Sequence, residues 1–448
     1  MKKYISIVFA LGVLFTSCDK KLDIFPEDSV ADEIALTTDV NVKKVLNGAY
    51  DAISSASLYG GDLFLFSELL AANGEIRWEG TFNQPREIWL KSMLTTNSYV
   101  RDSWLDAYNT INVCNNILGA INVVNTADQN RVKGEALFMR GAMFFELVKF
   151  FAKPYSAGSV TSNPGIPLIL TPTRGIDQSS FVARSTVEQV YTQILADLTE
   201  AENLLPNTNS VYATKPAASA MLSRVYLQME RFADARDAAN RGITVATANG
   251  KSLAASYAAA FNNSSNVAEY LLAIQVSAQD GSNDMHLFWS IPSYGGRDGD
   301  VSIQASHTAL YSSGDARLDL FYSGAGDVRS GKWQQQYKVL PVIRLAELYL
   351  TRAEANLRSS TSIGDSPVND VNRIRNRAGL TSLGSVVLAD ILAERKLELA
   401  HEGHAVHDLK RLKQSADGFA YNADKMVFPI PQREVDASRG TLAQNSGY

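Results

Sequence analysis

Four groups of residues in this chain have the types and spacing to do chemistry. The densest is His401, Glu402, His404, His407 and Asp408. Residues three or four apart share a helix face, so His401 with His404, or His404 with His407, can converge on a divalent cation. The HExxH pattern of zinc hydrolases is absent, because the second histidine comes one residue early and the spacing turns it away. Gly403 also bends or ends a helix there, and these histidines read as structural, with no metal expected. A second group, Gly326 to Lys332, has the glycine and lysine spacing of a phosphate loop. Trp333 stands where a hydroxyl must reach magnesium, and no apolar strand precedes the segment, so it reads as a surface turn and no nucleotide or other cofactor is expected. A third group is Glu394, Glu398 and Glu402, since carboxylates ~5–10 Å apart carry glycoside hydrolysis. Arg395, Lys396 and Arg411 stand near enough in sequence to neutralise them.

The fourth group is aromatic. Trp78, Trp89, Trp289 and Tyr294 lie in irregular stretches with Asn73, Arg77, Arg297 and Asp298 beside them. A flat ring stacks on the apolar face of a sugar while such polar neighbours bind its hydroxyls. Each ring can equally be core under a long loop. Trp104, inside a regular helical pattern, reads as scaffold.

The elements that must position these groups are mostly helical. Around Leu340 to Arg411 the sequence packs three amphipathic segments, LPVIRLAELYLTRAEANL, SPVNDVNRIRNRAGL and LAERKLELAHEGHAVHDLKR, with an ionic face beside an apolar one in the first. Earlier, a helix begins near Asp39 with Val42, Val45, Leu46 and Ala49 on one face, and another covers Leu63 to Leu70. Residues 72–97 have no sustained period and read as a long decorated loop. The stretches around Trp104 to Ile117 and 131–151 predict an antiparallel helix pair. Residues 154–184 form an extended connector, and Ser185 with Glu188 spells a capping box at the start of the next helix. From Pro216, the spacing of Leu222, Ser223, Tyr226, Phe232, Ala235 and Gly242 is that of a tetratricopeptide unit, a grammar repeated at 133–151 and 341–358. Residues 250–340 predict irregular structure with a few short strands, one at Tyr270 to Val276. The fold class is mainly α, built on tetratricopeptide-like repeats.

The chain of 448 residues carries a formal charge of −5, which falls to −7 without Lys2 and Lys3. That sign disfavours a surface that tracks nucleic-acid phosphates. Met1-Lys2-Lys3, the apolar run Tyr4 to Phe15 and Thr16-Ser17-Cys18 have the layout of a secretory leader over 1–17. Cys18 after small residues looks like a lipoprotein box, with ordinary leader cleavage as the alternative. Residues 18–30 then read as a tether and 31–448 as one domain, with a repeat scaffold over about 35–250 and 340–412. The other cysteine, Cys114, reads as a small buried apolar residue.

The motifs Pro341 to Glu347, Asn372 to Gly379, Glu394 to Leu399, Glu402 to His404, Phe428 to Pro431, Glu434 and Gln444 to Tyr448, in that order, closely resemble the SusD/RagB family of outer-membrane nutrient-binding lipoproteins. Ala405, Val406 and His407, and Ser438 and Ser446, depart from its usual residues. The resemblance implies a SusD-like helical fold, glycan or oligosaccharide binding at the cell surface without catalysis, and delivery to a SusC-like TonB-dependent transporter in the outer membrane. It places Glu394, Glu398 and Glu402 in the scaffold and ligand recognition outside the repeats; the irregular segments 72–97 and 250–340 read as the ligand face, with affinity expected in 72–97 and 286–300. Two rival classes are a helical adaptor that binds only proteins and a secreted glycoside hydrolase.

Overall fold

The structure, a computed structural model, describes residues 36–175, 178–279 and 283–448. The expected leader at 1–17 and the expected tether at 18–30 lie outside them.

Helix α1 (Asp39–Ile53) starts at Thr38, whose hydroxyl accepts the Asn41 N–H, and buries Val42, Leu46, Ala49 and Ile53. Helix α2 (Asp62–Leu70) is buried at every position, as its nearly unbroken apolar sequence requires. The stretch 72–97 is more ordered than a loop: it holds strand β1 (Ile76–Trp78) and helix α3 (Asn83–Trp89). Helices α4 (Ser98–Gly119) and α5 (Thr126–Phe151) form the expected pair, and Trp104 lies between them against Tyr108 and Phe151, both with ring centroids at 4.9 Å. Burial pushes the Cys114 thiol up to about 12, so it stays an unreactive packing group.

Helix α6 (Val187–Leu204) is capped one residue later than Ser185 and Glu188 suggest. Thr186 and Gln189 form the capping box. The Ser185 N–H is already donated to the Ile166 carbonyl, which holds Ser185 in the extended connector. Helices α7 (Lys215–Gln228) and α8 (Phe232–Ala248) are the tetratricopeptide-like pair. A Cβ at Gly242 would come within 2.7 Å of Leu348 and 3.2 Å of Ser219, so only glycine lets α8 approach both neighbours.

The next region holds β2 (Tyr270–Ile274), α9 (Asp284–Trp289), β3 (Val301–Ile303), α10 (Ala305–Thr308), β4 (Phe321–Gly324) and β5 (Asp327–Ser330). Strands β1, β3, β5 and β4 form one antiparallel sheet in that order. The segment from Gly326 to Lys332, expected as a surface turn, is the turn and second strand of the β4–β5 hairpin, and its end at Gly331 and Lys332 is buried rather than on the surface. Strand β6 (Leu340–Arg344) pairs with β2. Here the sequence reading needs correction, because the helix expected from Leu340 starts only at α11 (Leu345–Arg358). Pro341 and the β-branched pair Val342-Ile343 favour the strand. Four helices follow: α12 (Pro367–Arg377), α13 (Leu388–Glu398), α14 (Ala405–Arg411) and α15 (Gln432–Ala437).

Packing runs in series from α1 to α4, α5, α6, α7, α8 and α11, and α11 also holds α12 and α13. The last residues close this stack onto α5, where the Phe428 ring stacks on Phe150 at 5.0 Å and Asn445 donates to the carbonyls of Phe151 and Phe428. No helix among the described residues is long and apolar enough to cross a membrane.

Candidate functional site

Segments 72–97 and 286–300 are far apart in sequence and adjacent in space. Antiparallel pairing sets Arg77 opposite Ser302 and Trp78 opposite Val301. The Glu79 N–H then donates to the Asp300 carbonyl at 2.7 Å, so the chain leaving β1 runs beside the chain entering β3. Across this seam Arg297 bonds the Asp300 carboxylate and the Thr81 hydroxyl, and its guanidinium lies 3.9 Å from the centre of the Phe82 ring. Asp300 is fully buried, and burial raises its pKa even against the Arg297 charge. Arg297 is therefore fixed on three sides, a cation held in place rather than a mobile surface charge.

Around it the surface is open. Phe82 is 38% exposed, Tyr294 47%, and the Asp298 side chain 62%. Tyr294 is braced by the edge of Tyr322 at 5.7 Å and by a hydrogen bond between its carbonyl and the His286 ring at 3.0 Å. Arg77 is also exposed, with Glu79 at 3.8 Å. The patch thus offers two ring faces, a fixed guanidinium and an exposed carboxylate that lies 3.7 Å from that guanidinium, a set that suits hydroxyl-rich ligands.

The structure moves two predicted platforms into the core. Trp78 and Trp289 are 1% and 0% exposed. Trp78 meets Phe288 edge-on at 5.5 Å, and Trp289 packs on His401 at 4.9 Å, so neither has a free face for a sugar. Their loops read as open because they lack helical period, yet β1 and α9 fold both rings inward. Trp89 is half-buried at the end of α3, away from Arg297. Asn73 is exposed but is tied to Asp417, accepting its N–H at 3.0 Å. Of the predicted residues, Arg297 and Asp298 meet at the seam beside Phe82, Tyr294 lies three residues before Arg297 on the same segment, and Arg77 lies on β1 opposite Ser302. Phe82, Thr81 and Tyr322 were not singled out. Phe82 is the aromatic that the 72–97 segment exposes, and only the pairing of β1 with β3 distinguishes it from its buried neighbours.

The other charged groups are scaffold. Arg344 donates to Glu402 at 2.7 and 2.8 Å, to Glu269 at 2.5 Å and to Glu398 at 3.0 Å. Arg377 joins Glu269 and Glu398, Arg317 joins Asp315 and Glu394, Arg375 joins Glu394, and Lys332 joins Glu402 at 2.6 Å. Five carboxylates thus face five cations, mostly buried. Burial opposes ionisation of Glu398, but Arg377, Arg344 and Arg317 outweigh it and hold its pKa at about 2. The lysine of the phosphate-loop spacing is consumed here. The neutralising partners also differ from those nearest in sequence, since Arg395 and Arg411 bind Asp408, Arg411 binds Glu354, and Lys396 binds Glu75. The ionic residues of α11 likewise face other helices and not solvent, Glu347 meeting Arg224 and Arg352 meeting Asp370.

The histidines follow the break at Gly403. With φ +80 and an added Cβ only 2.5 Å from Phe64, Gly403 brings the turn against α2. There Glu68 accepts the N–H groups of Gly403 and Ala405, filling the open start of α14. Among the described residues no three His, Cys, Asp or Glu side chains converge to hold a metal ion.

Comparison with known proteins decides the family. A family model described as starch-binding and associating with the outer membrane matches residues 26–227, and the SusD family model matches residues 321–428. The chain belongs to the SusD/RagB family. SusD-like protein P2 of Formosa agariphila is similar over the whole of both chains at 24% identity. The starch-binding protein SusD of Bacteroides thetaiotaomicron is 32% identical over 24% of this chain and 21% of its own length. A crystal structure of a SusD superfamily protein from the same organism superposes with a TM-score of 0.81 at 25% identity, covering 91% of this chain and 99% of that one. The mainly helical, repeat-based architecture is that of SusD superfamily structures.

Proposed function

We propose that the seam of Phe82, Tyr294, Arg297 and Asp298, with Arg77 beside it, is the glycan-binding face of this SusD-like protein. The observation that carries the reading is the fixed Arg297 guanidinium between an exposed ring and an exposed carboxylate, in a family described as starch-binding. Rings stack on sugar faces while the guanidinium and carboxylate bond hydroxyl pairs. Binding requires no chemistry, and Glu394, Glu398 and Glu402, the acids that a hydrolase would need, are all held in ion pairs.

The same reading attaches the protein to the outer-membrane surface through acylated Cys18 and passes the captured oligosaccharide to a SusC-like TonB-dependent transporter. Stable attachment through Cys18 requires more than one acyl chain, since a single chain binds reversibly. Affinity electrophoresis against a panel of polysaccharides tests the ligand class: retardation by at least one glycan, lost in Tyr294→Ala, is expected, and no retardation by any member contradicts it. Cys18→Ala is expected to move the protein out of the membrane fraction without unfolding it, and retention there contradicts the anchor.

A further inference from the structure

Beside the start of β1, the end of α2, helix α13 and the turn into α14 enclose a pocket of about 300 Å³. Its walls include Ala72, Ile76 and Leu399, and its polar lining includes Glu68, His401 and His404. Asn73, grouped by the sequence with the aromatic face, lines this pocket instead.

Glu68 is held by backbone N–H groups and burial raises it to about 7, and the other charges named here are matched. Glu75 meets Lys396 and His307, and Asp408 meets Arg395 and Arg411. Little net charge is left to attract an ion. The imidazoles remain. His401 is 2% exposed, yet neither of its ring nitrogens has a hydrogen-bond partner, and its backbone sits at φ +64. The ring packs against Trp289 at 4.9 Å and His307 at 4.8 Å, but a buried imidazole without hydrogen-bond partners is unfavourable, and a ligand that bonded it would relieve that cost. Burial keeps both His401 and His404 well below the usual histidine pKa, so each ring is neutral and presents one donor and one acceptor. That is the pattern of a hydroxyl group. The volume stands at the lower end of ligand pockets.

We propose that this pocket is a second binding site, separate from the seam, for a neutral hydroxyl-bearing molecule the size of one sugar ring, recognised by His401 and His404 against the apolar wall. The inference stands on the pocket's own geometry and does not require the glycan face. To test it, the imidazole nitrogens of His401 and His404 in the full chain are followed by long-range proton–nitrogen NMR. D-Glucose, D-galactose, D-mannose, D-glucuronate and D-glucosamine are titrated at neutral pH. At least one neutral sugar is expected to shift both histidines saturably, with the charged pair at least tenfold weaker. Ala393→Phe, at an exposed position on the pocket wall, is expected to abolish the shift with an unchanged melting temperature. Tyr294→Ala is expected to leave the shift intact. His401→Asn, which tolerates the left-handed backbone, is expected to weaken binding at least tenfold and decides the matter if Ala393→Phe does not fold. Silence from all three neutral sugars, stronger binding of a charged one, or a response that survives His401→Asn would overturn the proposal.

Discussion

Arg344 and Arg297 use the same chemistry for different ends. Both are arginines held by carboxylates and laid over a phenylalanine ring, Arg344 5.0 Å from Phe261 and Arg297 3.9 Å from Phe82. Arg344 is enclosed by three glutamates within a balanced network, and nothing remains for a ligand to bind. Around Arg297, Asp298, Phe82 and Tyr294 stay in water. Partner count and exposure, more than residue type, separate scaffold from site in this molecule.

The scaffold side breaks hardest. Arg344→Ala or Glu402→Ala leaves buried charges unpaired and is expected to destabilise by about 3–5 kcal/mol, measured by urea denaturation. Folded mutant protein should bind ligand normally. Trp289→Ala, which opens a core cavity, is expected to lose about 3–5 kcal/mol with the same normal binding. Altered affinity without lost stability at either position would move the boundary between the two regions.

The network also sets an acid limit. The folded pKa of Glu398 is depressed to about 2, so its stabilisation is complete above the unfolded carboxylate value and is lost as pH falls from the ordinary glutamate range to about 2. The share is about 3 kcal/mol. Burial lowers His401, His404 and His407 too, so the unfolded chain takes up their protons first and stability begins to fall below the ordinary histidine range. Glu68 runs the other way, because burial raises it to about 7 and its ionisation weakens the fold as pH rises towards that value. Melting temperature against pH checks all three: Glu398→Gln should remove the Glu398 share of the loss at the acid end, with that of Glu402, Glu354 and Asp408 remaining, and leave the histidine limb in place.

The helical scaffold was legible because its cues are local. The 3.6-residue period, the tetratricopeptide spacing that includes Gly242 and the glycine at 403 are each readable within a few positions, although the side chains that require these glycines, Leu348 and Phe64, lie far along the chain. What was not legible depended on distant partners. Leu340 to Arg344 reads as the start of a helix until β2 is available to pair with it. Trp78 and Trp289 read as platforms because no sequence pattern reveals that β1 and α9 turn them inward. Phe82 has no feature of its own that marks it, and acquires a role only when Arg297 arrives from more than two hundred residues away. Glu394, Glu398 and Glu402 were read as scaffold correctly, yet their arginines came from β6, α12 and Arg317 and not from the adjacent turns.

The smallest effect on stability carries the most information. Calorimetry of Tyr294→Ala with a glycan retained by the wild type, alongside its melting temperature, tests whether affinity resides on the exposed side of this comparison. The expected result is a loss of about 1–3 kcal/mol of binding, as for other stacking platforms, with the melting temperature nearly unchanged. A mutant that melts as the wild type and binds just as tightly would contradict the account, and would place the glycan elsewhere on the molecule.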